Sequence, residues 1–148
     1  MKKKKPKTTA QLRKLAWNAF SKWYRQSRAD AFGNVRCYTC LYIHPWKEIH
    51  SGHAIPGRHN AVLFDEEIIR PQCFQCNSKL PGCKGGNYQV FSAKLIREYA
   101  EEKHIEIGQA FEWWERKLEH SRSIVKFTRQ DLLDKIADFE TRPDESRK

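Results

Sequence analysis

Cys37-Tyr38-Thr39-Cys40 and Cys73-Phe74-Gln75-Cys76 are two C-x-x-C pairs separated by 32 residues. A thiolate pair at this spacing wraps one side of a metal ion, and two pairs complete a tetrahedral shell. Cys37, Cys40, Cys73 and Cys76 are therefore expected to hold one structural Zn²⁺. A closed shell leaves no coordinated water to activate. Such an ion ties the two ends of the intervening segment together and contributes directly to the folding of a small domain. A redox pair is the competing reading, and two pairs in one segment argue against it. Cys83, the fifth cysteine, is left without a role.

Between the pairs lie His44, His50, His53 and His59, four of the six histidines within sixteen residues. Asn77 follows the last cysteine of the second pair. A neutral imidazole can take a proton from water. A neighbouring histidine with an asparagine oxygen can hold a divalent cation that polarises a phosphate and stabilises the leaving oxygen. His50, His53 and Asn77 together would suit phosphodiester hydrolysis; the bland alternative is a set of ordinary polar loop residues. A regular strand points residues 50 and 53 to opposite faces, so Gly52 is expected to supply a bend. His44 and His59 are secondary candidates.

The 148 residues suit one domain with a modest core, and 39% hydrophobic with 31% charged residues reads as soluble and globular. No apolar run is long enough to cross a membrane. The lysines after Met1 lead into Pro6 rather than an apolar stretch, so no signal peptide is expected. Without a secretory segment, zinc is favoured over disulfides. The formal charge is +10, from 28 basic and 18 acidic residues. That excess attracts polyanions, nucleic acid above an anionic membrane surface.

The expected organisation is a basic disordered tail at 1–8, a single domain at 9–142 and a polar tail at 143–148. The fold class is α+β: a zinc-stabilised ββα core over 31–88 flanked by helices. The N-terminal helix spans 9–29, with Leu12, Leu15, Ala16, Ala19, Phe20 and Trp23 inward. A knuckle leads into a short strand over Tyr38–Trp46, a second strand covers His50–Ile55, and a helix runs across Pro71–Leu80. Helices follow at 88–104, 106–120 and 129–140, the last with Thr128 as N-cap. Phe91, Leu95, Ile96 and Tyr99 line the first of these. Ile107, Ala110, Phe111, Trp114 and Leu118 line the second, and Leu132, Leu133, Ile136 and Phe139 the third. Packing is the simplest role for Trp113 and Trp114.

Cys37-Tyr-Thr-Cys40, Ser51-Gly-His53, Phe64-Asp-Glu, Pro71-Gln-Cys73-Phe-Gln-Cys76-Asn77 and Gly86-Asn87 resemble the HNH, or ββα-metal, nuclease superfamily. Within it, the chain more specifically resembles the lambdoid phage NinG (Rap) recombination endonucleases, over about residues 10–142. Trp23-Tyr-Arg-Gln-Ser-Arg28 resembles that family's segment upstream of the first knuckle. The resemblance implies a metal-dependent DNA endonuclease acting on branched recombination intermediates such as Holliday junctions, in the cytoplasm of a phage-infected or prophage-carrying bacterium. It makes His53 the general base. It makes Asn77, at the start of a helix, a ligand of the catalytic metal, with His50 as second ligand where the family often carries Asp. Imidazole suits Mn²⁺ better than Mg²⁺, so either ion is carried forward. The family's middle asparagine falls at Ile68, whose side chain cannot orient an imidazole; either a backbone carbonyl does so or His53 is less well held. Glu66, Glu67 and Glu98 are possible acidic supplements, and Leu80–Lys84 is an unusual insertion. Symmetric junction cutting implies a homodimer, with helices 9–29 and 88–120 as the source of its interface. The alternatives are a general HNH nuclease nicking duplex or single strands, and a non-catalytic zinc-stabilised DNA-binding protein.

Overall fold

Thr8 opens the first helix. Its hydroxyl accepts from the Gln11 N–H at 3.2 Å, while the Gln11 side chain accepts from the Thr8 N–H at 2.8 Å. This capping box satisfies two otherwise orphaned donors. In the computed structural model, which describes residues 5–143, helix α1 spans Thr9–Ser27. It buries Leu12, Ala16, Phe20 and Tyr24, a straight row of every fourth residue. Tyr24 takes an inner place that the pattern assigned to Leu15, which is 39% exposed. The reason is polar: the Tyr24 hydroxyl donates to the buried Ile69 carbonyl at 2.6 Å.

Strands β1 (Asn34–Arg36) and β2 (Ile43–Pro45) pair antiparallel around the first cysteine knuckle. Strands β3 (His50–His53) and β4 (Ile69–Gln72) form a second antiparallel pair, with His50 opposite Gln72 and His53 opposite Ile69. The 54–68 connection carries a 3₁₀ turn at Asn60–Val62. Helix α2 (Phe74–Asn77) follows β4 directly. Then come α3 (Tyr88–Lys103), α4 (Ile107–Ser121) and α5 (Arg129–Thr141). Among the described residues the fold is thus α+β, with five helices and two small sheets.

The main core joins Phe20 and Tyr24 of α1 to Ile68 and Ile69, to Phe91 and Leu95 of α3, to Trp113 and Trp114 of α4, and to Phe139 of α5. Both tryptophans are packing residues, and Trp113 lies flat on Tyr99 with ring centroids 3.9 Å apart. Ala110 and Trp114 are buried as expected and Leu118 packs against the core, but Ile107 and Phe111 are exposed, at 46% and 52%, and Trp113 joins the inner face. Leu133 of α5 is likewise partly exposed. Val35, Cys37, Ile49, Cys73 and Cys76 form a separate small core. No helix of the described residues is long and apolar enough to cross a membrane.

Two local expectations change. The helix expected over Pro71–Leu80 is a single turn, because Pro71 belongs to β4 and the chain turns extended at Ser78. Asn77 is therefore the last helical residue rather than the first. Thr8 of the expected tail is a helix cap. Residues 1–4 of that tail, and 144–148 at the other end, lie outside the described residues.

Gly52 does not bend β3; it sits in register opposite Arg70. It makes room instead. A Cβ there would stand 2.3 Å from Gln72 Oε1. Gln72 is fully buried and donates through Nε2 to the Gly86 carbonyl at 2.8 Å and to the Thr39 hydroxyl at 3.2 Å. It thereby links β4 to the first knuckle and to the start of α3. Among the described residues its Oε1 has no hydrogen-bond partner. Gly52→Ala is expected to destabilise the protein by about 1–3 kcal/mol in urea unfolding through overpacking. If Gly52→Ala unfolds like the wild type, the close approach is not a constraint.

Candidate metal centre and histidine cleft

The two knuckles meet. The sulfurs of Cys37, Cys40, Cys73 and Cys76 all lie within 4.8 Å of one another. A ZnS₄ tetrahedron with Zn–S of about 2.3 Å spaces its sulfurs about 3.8 Å apart. Cys40 Sγ and Cys73 Sγ stand 3.7 Å apart. The donor set therefore fits a structural zinc. Burial pushes the Cys37 thiol up, but N–H groups of Cys40, Cys73 and Thr39 and the Thr39 hydroxyl outweigh it and bring it down to about 6. Burial, with hydrogen bonding among the neighbouring sulfurs, pushes Cys73 up to about 12. Four thiolates crowded together need a cation to ionise together. Leu41, directly after the first knuckle, holds φ at 70°, a left-handed conformation costing a branched residue about 1–2 kcal/mol. Cys83 lies outside the sulfur cluster, with its thiol 3.9 Å from Gln75 Oε1.

The same elements place the histidines. Cys73 caps α2, so Cys76 and Asn77 are delivered within one turn of the metal centre. A returning strap fastens that turn: the N–H groups of Lys84, Gly85 and Gly86 donate to the carbonyls of Gln75, Ser78 and Cys76 at 2.9, 2.8 and 2.7 Å. The Leu80–Lys84 segment is thus folded back onto α2. Asn77 Nδ2 meets His50 Nδ1 at 3.0 Å. His50 also stands edge-on to Phe74, with centroids 5.9 Å apart.

His53 is held differently. Its Nε2 lies 3.0 Å from the Leu63 carbonyl, so Nε2 carries the proton and Nδ1 is the acceptor. Nδ1 has no protein partner among the described residues. The imidazole stacks on Trp17 of α1, with centroids 4.8 Å apart. Burial pushes its pKa down to about 4; the Leu63 hydrogen bond opposes this, and Arg58 and Arg13 reinforce it. His53 is therefore neutral at pH 7. Burial, then Arg25 and Arg58, also lower His50. Ile68 is fully buried and touches neither imidazole by hydrogen bond. The Leu63 carbonyl orients His53 in its place.

His53 and Asn77 line one cleft of about 350 Å³, together with Ser51, Arg58, Lys79 and Tyr88. His50 opens into the adjoining depression. No family model, curated protein or solved structure matches the chain. The site's chemistry rests on this geometry alone.

The remaining candidates are elsewhere. Glu66 pairs with Arg142 at 3.1 Å, Glu67 with Lys117, and Glu98 with Arg70 at 2.6 Å and the Tyr38 hydroxyl at 2.7 Å. These carboxylates brace the fold, and none lines the histidine cleft. His44 lies on β2 with its Nε2 buried, and His59 is exposed ahead of the 3₁₀ turn. Trp17, Arg58 and the Leu63 carbonyl escaped the sequence reading. Only a tryptophan just off the inner stripe of a helix, and an arginine in a Pro-Gly turn, marked the first two.

The purified protein is expected to carry one zinc ion per chain by elemental analysis, and Cys76→Ser to lose most of it. Full zinc retention in that variant would remove the metal centre. A second expectation concerns acid. The unfolded chain binds a proton at His53 near pH 6.5, and the folded chain does so only near pH 4. Stability from neutral His53 is present above pH 6.5 and is lost as pH falls towards 4, by up to about 3 kcal/mol. Urea unfolding of wild type against His53→Gln should show this component in the wild type alone. Parallel pH profiles would refute it.

Proposed function

We propose that the chain is a metal-dependent DNA endonuclease that hydrolyses phosphodiester bonds, with β3, β4 and α2 as a ββα-metal core stabilised by a Cys₄ zinc. The observation that carries this reading is the clamping of His53. Its Nε2 is fixed by the Leu63 carbonyl, while Nδ1, unpartnered, belongs to a residue lining a cleft with Asn77, Arg58 and Lys79. A neutral imidazole held in one tautomer is prepared to take a proton from water. The cations of the cleft favour the approach of a phosphodiester.

His50 and Asn77 would hold the catalytic ion. Such an ion stabilises charge on the phosphate and on the leaving oxygen. Both donors are neutral and no carboxylate lines the cleft, so the set favours Mn²⁺ over Mg²⁺. Phosphate oxygens of the substrate would have to complete the coordination. The contact between His50 and Asn77 at 3.0 Å must open for both to ligate one ion. In this reading Arg58 and Lys79 bind and orient the phosphate, and Trp17 keeps the His53 ring in plane. Selectivity for branched recombination intermediates, and a homodimer with two sites, rest on the resemblance of the knuckle and Gly-His motifs to junction-cleaving endonucleases.

One observation favours a second reading. His50 and Asn77 hydrogen-bond to each other at 3.0 Å, which suits a non-catalytic zinc-stabilised DNA-binding protein.

Cleavage of a synthetic four-way junction and of matched linear duplex, with Mn²⁺ or Mg²⁺, separates these readings. Junction-selective cutting is expected, faster with Mn²⁺. His53→Ala should lose about 10²-fold or more in rate while keeping its zinc. Equal cutting of both DNAs would indicate a general nuclease. Tight binding without cleavage in either metal would sink the endonuclease reading.

A further inference from the structure

Three depressions adjoin on one side of the molecule. The cleft of His53 and Asn77 shares Ser51 and Arg58 with the depression beside His50. That one shares Trp17, Ser21, Arg25 and Lys47 with a third, which runs over α1 beside Lys22 and Trp46. They form one continuous groove. Lys79, Arg58, Arg25, Lys47 and Lys22 line it, and no Asp or Glu does. The carboxylates gather elsewhere: Glu66, Glu67, Glu98 and Glu102 surround a separate depression at Arg70. There they are mixed with Arg28, Arg70 and Lys103, whereas the charged lining of the groove is basic alone.

The groove cations differ in what they can do. Arg25 is committed, donating to the carbonyls of Ser21, Trp46 and Ile49 at 3.0, 3.1 and 3.2 Å. It contributes field rather than contact. Lys22, Lys47 and the Arg58 guanidinium have no hydrogen-bond or carboxylate partner among the described residues. Arg58 is also prepositioned. Its φ is 47°, its carbonyl accepts from Arg13 at 2.6 Å, and its guanidinium lies 5.0 Å from the centre of the Trp17 ring. A guanidinium resting on an aromatic ring keeps its fork of donors for a phosphate. From Trp17 to Arg25 the helix advances about 12 Å, enough to meet more than one phosphate of a strand.

We propose that this groove is the path of one nucleic-acid strand, running from Lys79 past His53 and Arg58 onto α1, where Lys22 and Lys47 bind phosphates to one side of the cleavage site. The inference rests on the endonuclease reading for the position of the scissile phosphate, and not for the groove itself.

The test is fluorescence anisotropy over a series of salt concentrations, without added divalent metal. The probes are a labelled linear duplex and the same strand alone. The proteins are wild type, Lys22→Gln/Lys47→Gln, and Lys103→Gln/Arg116→Gln, which removes the same charge from α3 and α4. Circular dichroism and zinc content check that all three are folded. The groove variant should reduce the slope of log K against log salt by about 1.8 on duplex or about 1.4 on single strand. At 0.15 M salt its binding should weaken about thirtyfold on duplex and about fifteenfold on single strand. The control pair should leave the slope unchanged. No binding by wild type, an unchanged slope in the groove variant, or an equal fall in both variants would each overturn the proposal. A lowered slope without cleavage by wild type would keep the groove and remove the endonuclease reading. Cleavage by wild type with an unchanged slope would do the reverse.

Discussion

The meeting of four sulfurs is the constraint on which the site depends. Helix α2 has four residues, far too few to be stable alone. It holds its shape because Cys73 and Cys76 are drawn to Cys37 and Cys40 and because residues 84–86 return to its carbonyls. Asn77 is placed by this arrangement and by nothing larger. The first knuckle is anchored in turn: Tyr38 reaches Glu98 of α3, Glu98 pairs with Arg70 of β4, and the Tyr38 N–H donates to the Pro71 carbonyl at 2.8 Å. The sulfur cluster is thus tied both to the strand that precedes α2 and to the helix that follows it.

His53 has a separate support. It ends β3, but its ring is fixed by Trp17 of α1 and by Leu63 beyond the 3₁₀ turn. Those partners are set by the main apolar core. Asn60, which shapes this turn, accepts from Arg13 at 2.7 Å and donates to the Val125 carbonyl at 2.8 Å. Helix α1 and the link between α4 and α5 therefore both steady the loop that orients the imidazole.

The sulfur cluster was legible because thiolate chemistry allows few uses for two C-x-x-C pairs. The long helices were legible because their apolar period survives in the sequence; their ends shift by only one or two residues. The inner face of α4 was right at Ala110 and Trp114 and wrong at Ile107 and Phe111, because stacking on Tyr99 turns Trp113 inward as well. The bend assigned to Gly52 was wrong because the sequence does not show that Gln72 lies across it. The acidic supplements failed for a similar reason: Glu66, Glu67 and Glu98 find their cations 76, 50 and 28 positions away in sequence. The Leu63 carbonyl was invisible, since any residue type supplies one.

The two supports under the cleft have a consequence for how the molecule comes apart. One half of the cleft hangs on a small cluster of four cysteines that could hold a metal ion, the other on a larger apolar core. Units with independent cohesion open at different free energies. Stripping the metal would therefore dissolve the Asn77 side while the Trp17–His53 stack persists. Unfolding would then proceed in stages, and a single melting temperature would describe neither half.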